Sequence, residues 1–342
     1  MTSLSVIIPT CDRPGFLREA LNSVRAQTYR QRIGQVIVSE NGLSDLSAAV
    51  TRDFSDLPLT YVSQRPPQAP LLHLKAIWPH VRLPQVAFLH DDDWWAPDHI
   101  ASALALLDRA PDCAAVFSSF YETAGPAFPA QLPVGKPWRV WAASGCNFSE
   151  PTIILDSVST TLCCLLDANF HYSTLVGRAE AVRDAYEKVV EAGNTYDNDR
   201  LFGIFLSKHG SIGYLTRPDV FVRIHSQQDC MTQENRNAGW AKKADTTRWL
   251  LKAEPEKIAE AAEKFNKTSE SLSSDLLERL TVDMGASQLM ALVDDCRLHL
   301  RPRIQAPAPK PDQHRGATWF LKQLTPPVVL AIGRRFRNYF AA

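Results

Sequence analysis

Val86-Ala87-Phe88-Leu89-His90-Asp91-Asp92-Asp93-Trp94-Trp95-Ala96-Pro97-Asp98 runs from an apolar stretch into three carboxylates, two tryptophans and a proline. The apolar residues predict a buried strand, and Pro97 suits the first turn of a following helix. Three adjacent carboxylates repel one another unless a positive charge sits among them. At the carboxyl end of a buried strand, where open α/β sheets take ligands, a hard divalent cation meets that need. Carboxylate oxygens suit magnesium or manganese. An acidic turn that merely leads into the next helix is the competing reading.

Working outward, the chain alternates strands with helices. Leu4 to Pro9 reads as a first strand, and Phe16, Leu17, Ala20, Leu21 and Val24 then recur at helical spacing. Ile33 to Val38 and Leu59 to Val62 predict two more strands, and Leu71 to Val81 a helix that Pro79 cuts short. After the acidic stretch come a helix over 97–109 and a strand over 114–117. The alternation predicts an α/β fold with a mostly parallel central sheet flanked by helices.

From Tyr121 to Glu150, four prolines and two tryptophans break the pattern, which reads as a long loop or lid. Helices follow over 178–190 and 199–208, then two closing strands, 212–215 and 220–224. Beyond His225 the character changes. The expected organisation is an α/β domain over 1–228, a helical extension over 229–300, a proline-rich linker over 301–317 and an amphipathic basic tail over 318–342.

The 342 residues balance 37 basic against 37 acidic side chains, which gives no global case for nucleic-acid binding. Seven cysteines without CxxC spacing are expected in a reducing compartment. With no apolar signal core and no membrane-length apolar run, the expected location is cytoplasmic.

Three predicted strand ends share one edge of the sheet: Thr10-Cys11-Asp12, Glu40-Asn41 and Asp91-Asp92-Asp93. Each alone could be a polar turn that ends a strand. Their order along the chain resembles a known pattern. Ser5-Val6-Ile7-Ile8-Pro9-Thr10-Cys11-Asp12-Arg13, with Gln27-Thr28-Tyr29 in the helix after it, resembles the opening of the inverting glycosyltransferases of family 2. So does Val38-Ser39-Glu40-Asn41-Gly42 with Asp45 soon after. His90-Asp91-Asp92-Asp93, followed by Pro97-Asp98, resembles that family's DXD element. The resemblance spans roughly residues 3–225.

That resemblance implies a GT-A fold, a nucleotide-diphosphate sugar donor (UDP-sugar favoured), Mg2+ or Mn2+, and single displacement with inversion. By position, Thr10, Cys11 and Arg13 touch the nucleoside side of the donor, and Glu40 or Asn41 bonds the base and ribose. Asp91 holds the ribose and Asp93 meets the metal. Asp92 stands beside them on the donor, with the metal as its alternative. The catalytic base falls on Asp199, eleven residues before Gly210, where the family carries an acidic pair. Here Asn198 replaces the first acid, and Asp197 is a substitute for it. A helix-capping role for these acids is the alternative.

Arg223-Ile224-His225 resembles the family's late Arg-x-His, with Arg223 toward the diphosphate and His225 toward the metal. Lys75 reaches a donor phosphate or is a solvated helix lysine. Trp94 and Trp95 offer an aromatic wall under a sugar, one of them being core, and His171-Tyr172 with Trp138 and Trp141 border an acceptor site. The acceptor implied is a saccharide or lipid-linked saccharide. The tail contacts an anionic membrane peripherally or docks on protein. Two rivals remain: a sugar-phosphate nucleotidyltransferase, which calls for a glycine-rich phosphate loop after the first strand, and a non-catalytic nucleotide-sugar or metal-binding module.

Overall fold

The structure is a computed structural model that describes residues 3–123, 150–165, 170–193 and 198–225, with Glu256, Lys257 and Glu260. The expectations for Asp197, Trp138, Trp141, the helical extension, the linker and the tail lie outside the described residues.

The first half is built as the alternation predicts: β1 (Leu4–Thr10), α1 (Pro14–Arg25), β2 (Ile33–Glu40), α2 (Leu46–Arg52), β3 (Leu59–Ser63), α3 (Pro70–Ile77) and β4 (Gln85–Phe88). Then come β5 (Trp94–Trp95), α4 (His99–Arg109), β6 (Cys113–Thr123), β7 (Thr152–Leu155), α5 (Ser157–Leu165), β8 (Val176–Arg178), α6 (Ala179–Ala192), α7 (Asn198–Leu206) and β9 (Ser211–Arg223).

The strands form one sheet in the order β3-β2-β1-β4-β8-β6-β9-β5, with β7 also on β9. β3, β2, β1 and β4 run parallel. The chain moves to one side of β1 for β2 and β3 and to the other side for β4. The order therefore reverses at β1, the kind of point where such sheets bind ligands. β8 joins β4 and β6 antiparallel, and β5 and β7 pair antiparallel with β9, so the second half of the sheet is mixed.

Side chains alternate along β1. Ile7 enters a core with Ile77, Val182 and Phe202 on one face, while Val6 and Ile8 meet Leu17, Val50 and Ile100 on the other. With both faces covered, the near-continuous apolar runs of β1 and β2 are accounted for.

Several boundaries differ from the sequence expectation. β6 extends through Thr123, and β7 and α5 lie between the 121–150 segment and the helix expected from 178, where the sequence reading places no element. The two closing strands are one strand, β9, whose register against β6 jumps between Leu215 and Val220. Its first half holds β7 and its second half holds β5. Pro97 precedes α4 instead of opening it: the N-cap is Asp98, whose side chain makes no capping bond. Gln27 Oε1 takes the Ile100 N–H at 3.0 Å instead, and Gln27 Nε2 donates to Ala96 O at 2.8 Å. The Gln27-Thr28 pair thus laces α1 to the chain leaving the acidic turn. Among the described residues no helix is long and apolar enough to cross a membrane.

Candidate active site

Thr10 and Glu40 sit side by side in the β1–β2 register, and β4 ends next to β1. Glu40 is fully buried. Its Oε1 accepts the Asp12 N–H at 3.1 Å and the Gly42 N–H at 2.6 Å, while Oε2 is buried with no protein partner. A buried carboxylate oxygen without a partner is costly unless a ligand supplies a donor. Asp12 holds φ 54°, and its carboxylate accepts the N–H groups of Leu43 and Ser44. The Ser44 side chain beside it and these backbone N–H bonds keep its pKa below the usual carboxylate range. A Cβ on Gly42 would lie 2.3 Å from the Asp12 carboxylate carbon, so a side chain there would push that carboxylate off the Leu43 and Ser44 N–H groups. Asn41 exchanges two hydrogen bonds with the Gln68 backbone, which ties this turn to the loop after β3. Of the Glu40/Asn41 alternatives, Glu40 keeps the open acceptor.

The three aspartates are all buried, each held differently. Asp91 Oδ2 accepts the Thr10 hydroxyl at 2.7 Å, and Oδ1 lies 3.5 Å from the Arg13 guanidinium. Burial, and then the neighbouring Asp92 charge, push its pKa up to about 7. Asp92 meets Arg13 at 3.2 Å and His225 Nε2 at 3.0 Å. Burial works against its charge, but His90, the His225 bond and Arg13 outweigh it and hold its pKa low. Asp93 accepts the Arg223 N–H at Oδ1 (3.0 Å) and the Ser173 hydroxyl at Oδ2 (2.5 Å). Burial and Asp92 raise it to about 6. Two of the three carboxylates are thus held above the usual carboxylate range by burial and by one another.

Two histidines converge on Asp93. His90 Nδ1 is 3.8 Å and His171 Nδ1 3.9 Å from Asp93 Oδ2. Among the described residues, this is the group of three able to hold a metal ion. The sequence quoted His90 without a role and placed His171 at the acceptor. The signal for His90 is its place directly before Asp91. His171 arrives from a turn 78 residues later and carries no local signal.

Other expected residues are placed less directly. Arg223 is buried beneath the turn: its guanidinium lies 4.6 Å from the Phe16 ring centre and 4.8 Å from that of Trp94. It pairs with Glu19, and its Nε donates to Asp92 O at 2.9 Å. His225 sits on Asp92, outside the group around Asp93. Trp94 and Trp95 are both fully buried, so neither forms an aromatic wall for a sugar. Trp94 stacks on Phe221, and Trp95 Nε1 donates to Ser173 O. Lys75 is exposed on α3 and makes no hydrogen bond or ion pair with the aspartates. Cys11 is exposed, and partial burial with the Glu40 charge pushes its thiol pKa up, away from nucleophile chemistry. Asp199 opens α7, half-buried. Its charge, after burial, helps raise the phenol of Tyr172, whose ring centre is 6.2 Å from that of His90.

Compared with known proteins, the strand ends described above fall inside a recognised segment. Residues 5–149 match the family model "Glycosyl transferase family 2". The family 2 match takes in Thr10, Glu40 and the three aspartates, while His171, Asp199, Arg223 and His225 lie beyond it. No curated protein matches the sequence. Among solved structures, S. aureus TarS 1-349 in complex with UDP-GlcNAc is similar at a TM-score of 0.57 and 14% identity, over 88% of this chain and 81% of that one. The mannosyltransferase PcManGT from Pyrobaculum calidifontis, in complex with GDP-Man and Mn2+, is similar at a TM-score of 0.50 and 15% identity, over 88% of each chain. The chain therefore has the GT-A glycosyltransferase fold, and residues 5–149 are the segment that matches the family 2 model.

Proposed function

We propose that the protein moves a sugar from a nucleotide-diphosphate donor to a hydroxyl of a saccharide or lipid-linked acceptor, by single displacement with inversion. The observation that carries this reading is the buried Asp91-Asp92-Asp93 turn, set against Thr10 and the open Glu40 oxygen within the family 2 segment. Structural neighbours in complex with UDP-GlcNAc and with GDP-Man support a nucleotide-sugar donor.

In this reading Glu40 Oε2 accepts from the base or ribose, and Asp91 bonds the ribose hydroxyls. Arg13, already beside Asp91 and Asp92, turns toward the donor. Asp93 is the carboxylate that would meet Mg2+ or Mn2+. Such a cation supplies Lewis-acid neutralisation of the leaving diphosphate. Asp199 takes the proton of the attacking hydroxyl as that oxygen bonds the anomeric carbon. Arg223 and His225 position Asp92 from below. The tail over 318–342 would place the protein peripherally on the inner face of a membrane; unchanged liposome co-sedimentation after its deletion would remove that contact.

The experiment is incubation with UDP- and GDP-linked sugars, following nucleoside diphosphate release and the anomeric configuration of the product by NMR. Release of one nucleoside diphosphate with inverted configuration supports the proposal. Turnover of none of them, or retention, contradicts it.

A further inference from the structure

We propose that His90, Asp93 and His171 form a two-histidine, one-carboxylate site for a transition-metal ion, so that the cation at this edge is selected against magnesium. The inference deepens the proposed transfer and rests on that reading for the site's purpose; its ligand geometry stands independently.

The ligand atoms all lie within 4.8 Å of one another. Both Nδ1–Oδ2 separations, 3.8 and 3.9 Å, are too long for hydrogen bonds. The two imidazoles therefore point at one carboxylate oxygen without being satisfied by it. Ligands about 2.1 Å from a common ion stand about 3.0–3.4 Å apart, so the two His–Asp separations need to close by less than an ångström, while the histidines draw together as the ion binds. His171 Nδ1 accepts the Ser173 N–H at 3.3 Å, so that nitrogen is the unprotonated one, and an ion binding there would take the place of this long hydrogen bond.

The surroundings hold these groups in place, as the outer shell of a metal site does. Ser173 Oγ donates to Asp93 Oδ2 and accepts the His90 N–H at 3.0 Å, which fixes two of the three ligand residues through one hydroxyl. The Arg223 N–H occupies Asp93 Oδ1, leaving Oδ2 toward the histidines. The imidazole rings meet edge to face at 5.3 Å, His171 lies against Phe120 and His90 against Tyr172. Asp93 is buried, while His90 and His171 are 33% and 23% exposed at their side chains, so the ligand set opens toward solvent on the histidine side. Open positions there suit waters or diphosphate oxygens.

The donor chemistry decides the ion. Magnesium takes oxygen ligands and gives up its waters reluctantly, whereas imidazole nitrogen suits first-row transition metals, with affinity lowest for manganese and rising toward cobalt.

The test is Mn2+ titration of the full chain by electron paramagnetic resonance, with Co2+ absorption as a second readout. Expected is Mn2+ binding that Co2+ and Zn2+ displace and a large excess of Mg2+ does not. H90Q and H171Q each weaken it roughly 10–100-fold and change the Co2+ spectrum, while melting at the wild-type temperature. H209Q, at a histidine paired with Asp184 away from this turn, keeps wild-type Mn2+ affinity. The inference is overturned by Mn2+ binding that survives H90Q and H171Q but not D93N, by equal competition from Mg2+, or by no Mn2+ binding. Each of those outcomes leaves UDP or GDP binding to decide the transfer reading. Conversely, histidine-dependent Mn2+ binding in a protein that binds neither nucleotide sinks the transfer reading and keeps the site.

Discussion

Thr10 Oγ1 donates to Asp91 Oδ2 at 2.7 Å, joining the carboxyl ends of two adjacent parallel strands, β1 and β4, across 81 residues of chain. The bond is buried and anchors the acidic turn to the strand at which the sheet order reverses. Thr10→Val keeps the shape and removes the hydroxyl. It should cost about 1–3 kcal/mol, because a buried carboxylate oxygen loses its donor, and it should weaken nucleoside diphosphate binding. A melting curve and a binding titration check both. Unchanged melting would mean that the bond contributes nothing.

Asp91 makes the stability of the metal-free protein depend on pH in a particular direction. Its folded pKa, raised by burial and Asp92 to about 7, exceeds the usual carboxylate value, so between those limits the folded state holds the extra proton. Stability from this group is therefore full at low pH and lost as pH rises toward 7. D91N, neutral throughout, lacks that loss. The difference in melting temperature, wild type minus D91N, should fall as pH goes from acid to neutral; a rising difference would reverse the sign.

His73 titrates the other way. It is buried against the Ser39 hydroxyl at 2.8 Å, and burial lowers its pKa to about 4. Its contribution is present above the ordinary histidine value and is lost as pH falls through the folded one. H73Q should flatten the acid limb of the stability profile, read by melting temperature in the same buffers.

Arg223 is expected from the sequence on the diphosphate, yet its guanidinium lies between Phe16 and Trp94 with Glu19 and Asp92 O as partners. A lysine keeps the charge and loses the planar fork. R223K should therefore lower stability by on the order of 2 kcal/mol. A loss of nucleotide affinity at unchanged stability would restore the direct phosphate role.

Much of this was legible in the sequence because it is local. The apolar runs of β1, β2 and β4 and the polar residues directly after each fix one edge of a parallel sheet, and the structure puts Thr10, Glu40 and Asp91 there. What depends on tertiary contact was not legible. The burial of both Trp94 and Trp95 follows from the pairing of β5 with β9, a partner more than a hundred residues away. Likewise β9 reads as two strands because Pro218 and its polar neighbours interrupt the pattern, although a register jump carries one strand through them. His171 reaches Asp93 only because β8 is inserted antiparallel between β4 and β6.

In the proposed transfer, Asp199 would act in catalysis and not in donor binding. D199N should reduce transfer roughly 10²–10⁴-fold, the usual worth of a positioned base, with nucleoside diphosphate affinity unchanged. Full activity in D199N would remove Asp199 from the mechanism.

The central claim is that the acidic turn and the Glu40 side of the same edge hold a nucleoside diphosphate with a metal. Calorimetric titration of the full chain with UDP and with GDP, each in Mn2+ and in EDTA, tests it most directly. The account predicts that one of the two nucleotides binds in Mn2+ and loses most of its affinity in EDTA. Absence of binding to both, with metal and without, would contradict it.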